Sequence, residues 1–197
     1  MIADLHLGVY KDQDYLRRVV DQINQLTGVD MVMIAGDWTF HAEPDDLEDI
    51  FRPLSYLHVP VYGVLGNHDV EHPGPKIRNQ LVPVLEEHGV IMLQNDVLDF
   101  GDRKLVGLGD YTGREDEVSL LRQFHVLDTV VVLTHNPDTT LAYDGYGADL
   151  TLVGHTHCGQ IRLPFIHDYI APFYIPVKGA FDCGVTQTKY TQIVITP

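Results

Sequence analysis

The chain has 197 residues, 45% of them apolar, and 13 Lys and Arg stand against 28 Asp and Glu for a formal charge of −15. That length suits one domain able to bury about 70% of its unfolded surface. A mean hydropathy of −0.04 and apolar runs far below ~18 residues exclude a spanning helix. The charge argues against the clustered basic surface that displaces counterions from nucleic acid, and against attraction to anionic lipid. It still admits a phosphorylated substrate, because bound divalent cations reverse the polarity of a site.

In chain order, the first strand candidate is Met1-Ile2-Ala3. It is shorter than the ~5 to 6 residues of an ordinary strand. A segment lost upstream is therefore an open expectation, and with it a leader or peripheral or anchored membrane association. Otherwise a cytoplasmic location is the default, since two cysteines, Cys158 and Cys183, imply no disulfide framework. Residues 14–27 place Leu16, Val19, Val20, Ile23 and Leu26 at helical spacing, with Asp12 or Asp14 as cap and Gly28 as stop. A strand over 31–35 comes next, then a helix over 44–57 that Pro53 should kink or split.

A strand over 61–65 leads to a helix over 75–88, in which Pro83 raises the same reservation and Gly89 is the stop. From residue 90 to 108 the texture becomes a meander of short antiparallel strands with turns at Asn95-Asp96 and Gly101-Asp102. A helix over 115–124, strands over 130–134 and 150–153, a Pro-, Gly- and aromatic-rich loop over 158–189 and a strand over 190–196 complete the chain. No repeat or linker interrupts it, so residues 1–197 read as a single domain.

The informative residues stand at the carboxyl ends of the strands. Asp4 and His6 come after the first, Gly36-Asp37 after the second, Gly66-Asn67-His68-Asp69 after the third, His135-Asn136 after the strand over 130–134, and Gly154-His155-Thr156-His157 after the next. Ligands in α/β folds collect outside these strand ends. Each motif alone has a plain reading. Asp-x-His merely shares one side of a strand, Gly-Asp is a turn with a capping carboxylate, and Gly-Asn-His-Asp is a polar turn. His135 could be a satisfied core histidine; the alternating His155 and His157 point more strongly to neighbouring cations. Together they form a mixed nitrogen and oxygen donor set suited to manganese, iron or zinc rather than calcium.

In this order and spacing the motifs resemble the calcineurin-like metallophosphoesterase superfamily over nearly the whole chain. Asp4-Leu5-His6-Leu7-Gly8 and the run from Gly154 to Ile161 look most like the bacterial branch with YkuE-type phosphohydrolases and UDP-diacylglucosamine hydrolases. The resemblance implies an α/β fold: a two-sheet β-sandwich flanked by helices, four layers in the order αββα. It implies two divalent metal ions, manganese favoured. Asp4, His6 and His157 would hold the first, Asn67, His135 and His155 the second, and Asp37 would bridge them. A hydroxide between the ions would then attack a phosphomonoester or phosphodiester. His68 would be catalytic and, with Asn67, would contact the substrate. Independently of the resemblance, Arg114, after the strand end at Gly109-Asp110, could clasp a substrate phosphate by its planar fork, with a surface salt bridge the equal alternative. A pyrophosphate-cleaving hydrolase of a nucleotide-linked lipid precursor, or a metal-bound scaffold without turnover, are the alternatives.

Three departures qualify the likeness. Phe40 stands where many relatives have an aspartate that orients the catalytic histidine, leaving Asp69 and Asp110 as possible partners of His68, although an aspartate in a Gly-rich turn is more often a turn former. Cys158 replaces a glycine, and relatives continue past a strand like 190–196, so the C-terminus too is expected to be truncated. His41 and His72 lie just beyond site loops and are possible substrate contacts. Trp38, Tyr111, Phe165, Tyr169, Phe173 and Tyr174 are candidates for a cleft wall, with packing the simpler role.

Overall fold

Three short parallel runs of β-branched and apolar residues make the first sheet. The computed structural model describes residues 1–70, 75–157 and 183–196, and in it the order is β2 (Val32–Ala35), β4 (Val61–Val64) and β5 (Val90–Met92). Ile2 adds a single parallel bridge to Ile34, all that the first run contributes to this sheet. Farther on, β1 (Leu7–Gly8) pairs in parallel with β3 (Thr39–Phe40), a two-residue strand the sequence pattern did not reveal.

The second sheet runs in the order β10 (Gly184–Gln187), β11 (Gln192–Ile195), β9 (Leu150–Val153), β8 (Thr129–Leu133), β7 (Arg103–Gly107) and β6 (Asp96–Phe100). Strand β10 corrects part of the expected loop over 158–189. The expected meander is also corrected: β5 joins β4 in parallel, only β6 and β7 form an antiparallel hairpin, and β7 joins β8 in parallel. Apolar alternation identifies a strand but not its partner.

The sheets pack face to face. Ala35, Tyr62 and Val64 of the first meet Leu105 and Leu133 of the second in one buried cluster, with Ala3 and Leu93 beside them. On the outer side of the first sheet lie α1 (Gln13–Gln25), α2 (Leu47–Phe51) and α3 (Arg78–Glu87), burying Leu16, Val20, Leu47, Phe51, Leu81 and Leu85. Asp12 caps α1 by accepting the Tyr15 amide, as the spacing predicts. Pro53 splits the predicted 44–57 helix into α2 and flanking 3-10 turns, whereas α3 tolerates Pro83. Over the second sheet, the predicted 115–124 helix is a 3-10 helix, Val118–Gln123, which buries Val118 and Leu121.

Cys183 is disulfide-bonded, which corrects the expectation of no bridge; a count of two cannot say whether cysteines meet. Cys158, His72, Phe165, His167, Tyr169, Phe173 and Tyr174 lie outside the described residues. Among the described residues no helix is long and apolar enough to cross a membrane.

Candidate metal centre

The site forms where the loops after the strands of both sheets meet at one edge of the sandwich. The chain from Asp4 to Leu7 runs beside residues 36–38, with the amides of Asp4, His6 and Leu7 donating to the carbonyls of Gly36, Asp37 and Trp38 at 3.1, 3.0 and 2.9 Å. The segment is not a pleated strand. Asp4, His6 and Asp37 adopt left-handed φ of 55°, 49° and 52°, and His155 and His157 do the same at 68° and 45°. Backbone strain of this kind, of order 1 kcal/mol or more per residue, persists where the surroundings enforce it and clusters at functional sites. Alternating left-handed residues, not strand pleating, thus bring Asp4 with His6, and His155 with His157, into one pocket.

Gly36 and Gly66 are required by crowding. A Cβ on Gly36, itself at φ 80°, would meet the Gly66 amide and His135 Nδ1 at 2.8 Å. A Cβ on Gly66 would collide with the Asp37 carboxylate.

Seven side chains converge. His6 Nε2 faces His157 Nε2 at 3.2 Å and lies 3.8 Å from Asp4 Oδ1 and 3.6 Å from Asp37 Oδ2. His157 Nε2 lies 3.6 Å from Asp4 Oδ1. Across the pocket, His135 Nε2 sits 3.3 Å from Asp37 Oδ2, 3.0 Å from Asn67 Oδ1 and 3.1 Å from His155 Nδ1. Two ligands each ~2.1 Å from one cation stand about 3 to 3.4 Å apart. The His6–His157, His135–Asp37, His135–Asn67 and His135–His155 separations fall in that range. The His6–Asp4, His6–Asp37 and His157–Asp4 separations, at 3.6 to 3.8 Å, lie a few tenths of an ångström beyond it. Asp4, His6 and His157 form one group able to hold a metal, and Asp37, His135 and His155 another, while Asp37 also groups with His6 and His68. Asp37 therefore touches both halves.

The donors are oriented by backbone. His135 Nδ1 donates to the Ala35 carbonyl at 2.7 Å, which turns the Nε2 lone pair into the pocket. The His68 amide donates to Asp37 at 3.0 Å, and the His155 amide to Asp4 at 3.0 Å.

Burial of this many titratable groups separates their proton affinities. Burial alone would raise Asp37, but neighbouring His135, His68 and His6 outweigh it and hold the carboxyl well below the usual range. Burial would lower His135, yet Asp37 and Asp4 lift it to about 10. His6 is pulled down to about 4 and His155 to about 3, chiefly by burial. Asp37 and His135 thus form a charge-coupled pair, and burial favours the neutral rings of His6 and His155, whose lone pairs suit a metal.

Behind this layer Asp69, wholly buried, ties two site loops together. Its carboxylate accepts the Gly66 amide at 2.9 Å, the Trp38 amide at 3.2 Å, the Thr39 amide at 3.0 Å and the Thr39 hydroxyl at 2.9 Å. It does not orient His68. Nor does Asp110, which accepts the Gly113 amide at 2.8 Å. The turn role expected of Asp69 is seen in its bond to Gly66; its reach to Trp38 and Thr39 was missed in the sequence. Arg114 is exposed and its guanidinium makes no hydrogen bond or ion pair among the described residues, so nothing ties it to the site. Trp38 is core rather than cleft wall, its indole donating to the Val64 carbonyl at 2.8 Å. His88, at the end of α3, hydrogen-bonds Ser55 and Glu48, and His41 is exposed against Phe40.

A two-sheet α/β sandwich with Asp and His donors gathered at its strand ends defines a metal-dependent phosphatase-like protein. The chain belongs to the calcineurin-like phosphoesterase family, whose profile matches residues 1–159. It is 34% identical to an uncharacterized metallophosphoesterase of Campylobacter jejuni, over 84% of this chain and 45% of that protein. It is 30% identical to the phosphodiesterase YaeI of Escherichia coli, over 73% of this chain and 54% of that protein. With the UDP-2,3-diacylglucosamine pyrophosphatase LpxG of Chlamydia trachomatis it shares 25% identity, over 83% of this chain and 64% of that protein. The chain thus spans roughly half to two thirds of these relatives' length. A crystal structure with 11% sequence identity superposes over 98% of this chain and 87% of its own, with a TM-score of 0.64, a likeness of fold.

Proposed function

We propose that residues 1–197 form one metallophosphoesterase domain that hydrolyses phosphomonoesters or phosphodiesters with two divalent cations, manganese favoured over iron or zinc. The observation that carries this reading is Asp37, whose carboxylate is shared by the donor groups on either side of it. Asp4, His6 and His157 would hold one ion, Asn67, His135 and His155 the other, and Asp37 both. Such a pair supplies Lewis-acid charge on phosphoryl oxygens and a water of lowered pKa for in-line displacement.

The chain's own groups do the rest. Asn67, held against His135, keeps its amide oxygen in the donor set. His68 is half-buried and its pKa is lowered, mainly by burial, which makes its protonated form a stronger acid. Its Nδ1 is buried, so delivering a proton to the leaving oxygen falls to Nε2. Arg114, exposed, would meet a substrate phosphate with its guanidinium.

Metal analysis of the purified protein, with a phosphate-ester screen under each metal found, tests the reading; a protein that takes up no divalent ion sinks it. His68→Ala should lower turnover by about a hundredfold or more at unchanged metal content, and unchanged turnover would remove its role. The likeness to LpxG favours a second reading, cleavage of a nucleotide-linked pyrophosphate. Comparing a nucleotide-sugar pyrophosphate with p-nitrophenyl phosphate esters separates the two.

A further inference from the structure

His68 has an unusual setting for a proton-transfer histidine. Its Nδ1 is buried with no hydrogen-bond partner among the described residues. The nearby carboxylates are occupied elsewhere: Asp37 takes the His68 backbone amide, Asp69 takes four other donors, and Asp110 takes the Gly113 amide. What touches the imidazole is other rings. Phe40 lies 5.1 Å away by ring centroids at 47°, and His6 lies 4.9 Å away at 86°. Phe40 also meets His6 edge-on at 5.8 Å, closing a three-ring cluster.

Phe40 is itself fixed. It ends β3 opposite Gly8, its carbonyl accepts the Val9 amide at 3.3 Å, and the preceding Thr39 is fastened by both its amide and hydroxyl to Asp69. A ring so anchored limits where the imidazole can turn without using its nitrogens, by contacts worth about 0.5 to 1.5 kcal/mol. We propose that Phe40 is the positioning residue of His68: ring packing from β3, rather than a hydrogen bond to Nδ1, sets the imidazole's orientation. The inference rests on the phosphoesterase reading for its kinetic consequence, though not for its geometry.

The test uses the whole chain and a double-mutant cycle. Phe40→Ala should lower kcat about tenfold, with KM and metal content within twofold of the parent, and Phe40→Tyr should keep kcat within threefold. In a His68→Ala background Phe40→Ala should cause no further fall. In metal-free protein labelled with ¹⁵N-histidine, the His68 ring signals should shift or broaden in Phe40→Ala and return in Phe40→Tyr. An equal further fall in the His68→Ala background, a loss that tracks lost metal, or unaltered His68 ring signals would each overturn the proposal. A parent protein that turns over no ester would instead remove the functional reading, while the ring spectra would still decide whether Phe40 orients His68.

Discussion

Asp69 shows how much of a site lies behind the atoms that would touch metal. All four of its partners are donors, and a carboxylate is an acceptor at every lone pair. Asp69→Asn keeps the shape but turns an NH₂ toward backbone N–H groups. It should cost about 1 to 3 kcal/mol, read as a lower denaturant midpoint at unchanged m. An unaltered midpoint would show that the clamp is dispensable. The types of the convergent residues were legible in the sequence because acids and imidazoles recur after apolar runs. Their backbone was not: that Asp4, His6, Asp37, His155 and His157 are all left-handed arises from contacts between distant loops, which local preference disfavours.

At the scale of elements, strands over 31–35, 61–65, 130–134 and 150–153 were readable because buried parallel strands are nearly continuous apolar runs. Two-residue β3 carries no such run, and the directions of β5 to β7 depend on partners far along the chain. The loops between elements are held at close quarters, and Gly66, two residues past β4, is among the tightest points. Gly66→Ala would push a methyl into the Asp37 carboxylate and amide. We expect metal affinity to fall at least tenfold, measured by calorimetric titration with Mn²⁺, together with a stability loss of about 1 to 3 kcal/mol from overpacking. Affinity equal to the parent's would mean that the β4 and β2 loops can separate without disturbing the donors. Phe40, also delivered by a short element, shows that a two-residue strand can fix a side chain when its neighbours are anchored.

For the whole molecule, a metal held as proposed would compete with protons for the same buried centre, and pH is the variable that separates them. In the metal-free protein His135 is raised to about 10, so its pairing with Asp37 stabilises fully below the ordinary imidazole value and is lost as pH climbs through about 10. Asp138, raised by burial to about 6, acts in the same sense at lower pH: stability is given up as it ionises between the ordinary carboxylate value and about 6. His6 and His155 act oppositely, since rings kept neutral by burial lose stability as pH falls below the ordinary imidazole value toward about 4 and 3. The metal-free protein should therefore be most stable near pH 6 to 7 and lose stability toward pH 10. A bound cation needs the deprotonated donors, so its affinity must rise over the range where the metal-free fold weakens. At a free concentration a hundredfold above Kd, the ion adds about 2.7 kcal/mol. Scanning calorimetry with Mn²⁺ and with chelator at pH 6 and pH 9 should show the gap in Tm between loaded and free protein widening with pH. A gap independent of pH would mean that the ion binds where it displaces no proton, away from His135 and Asp37.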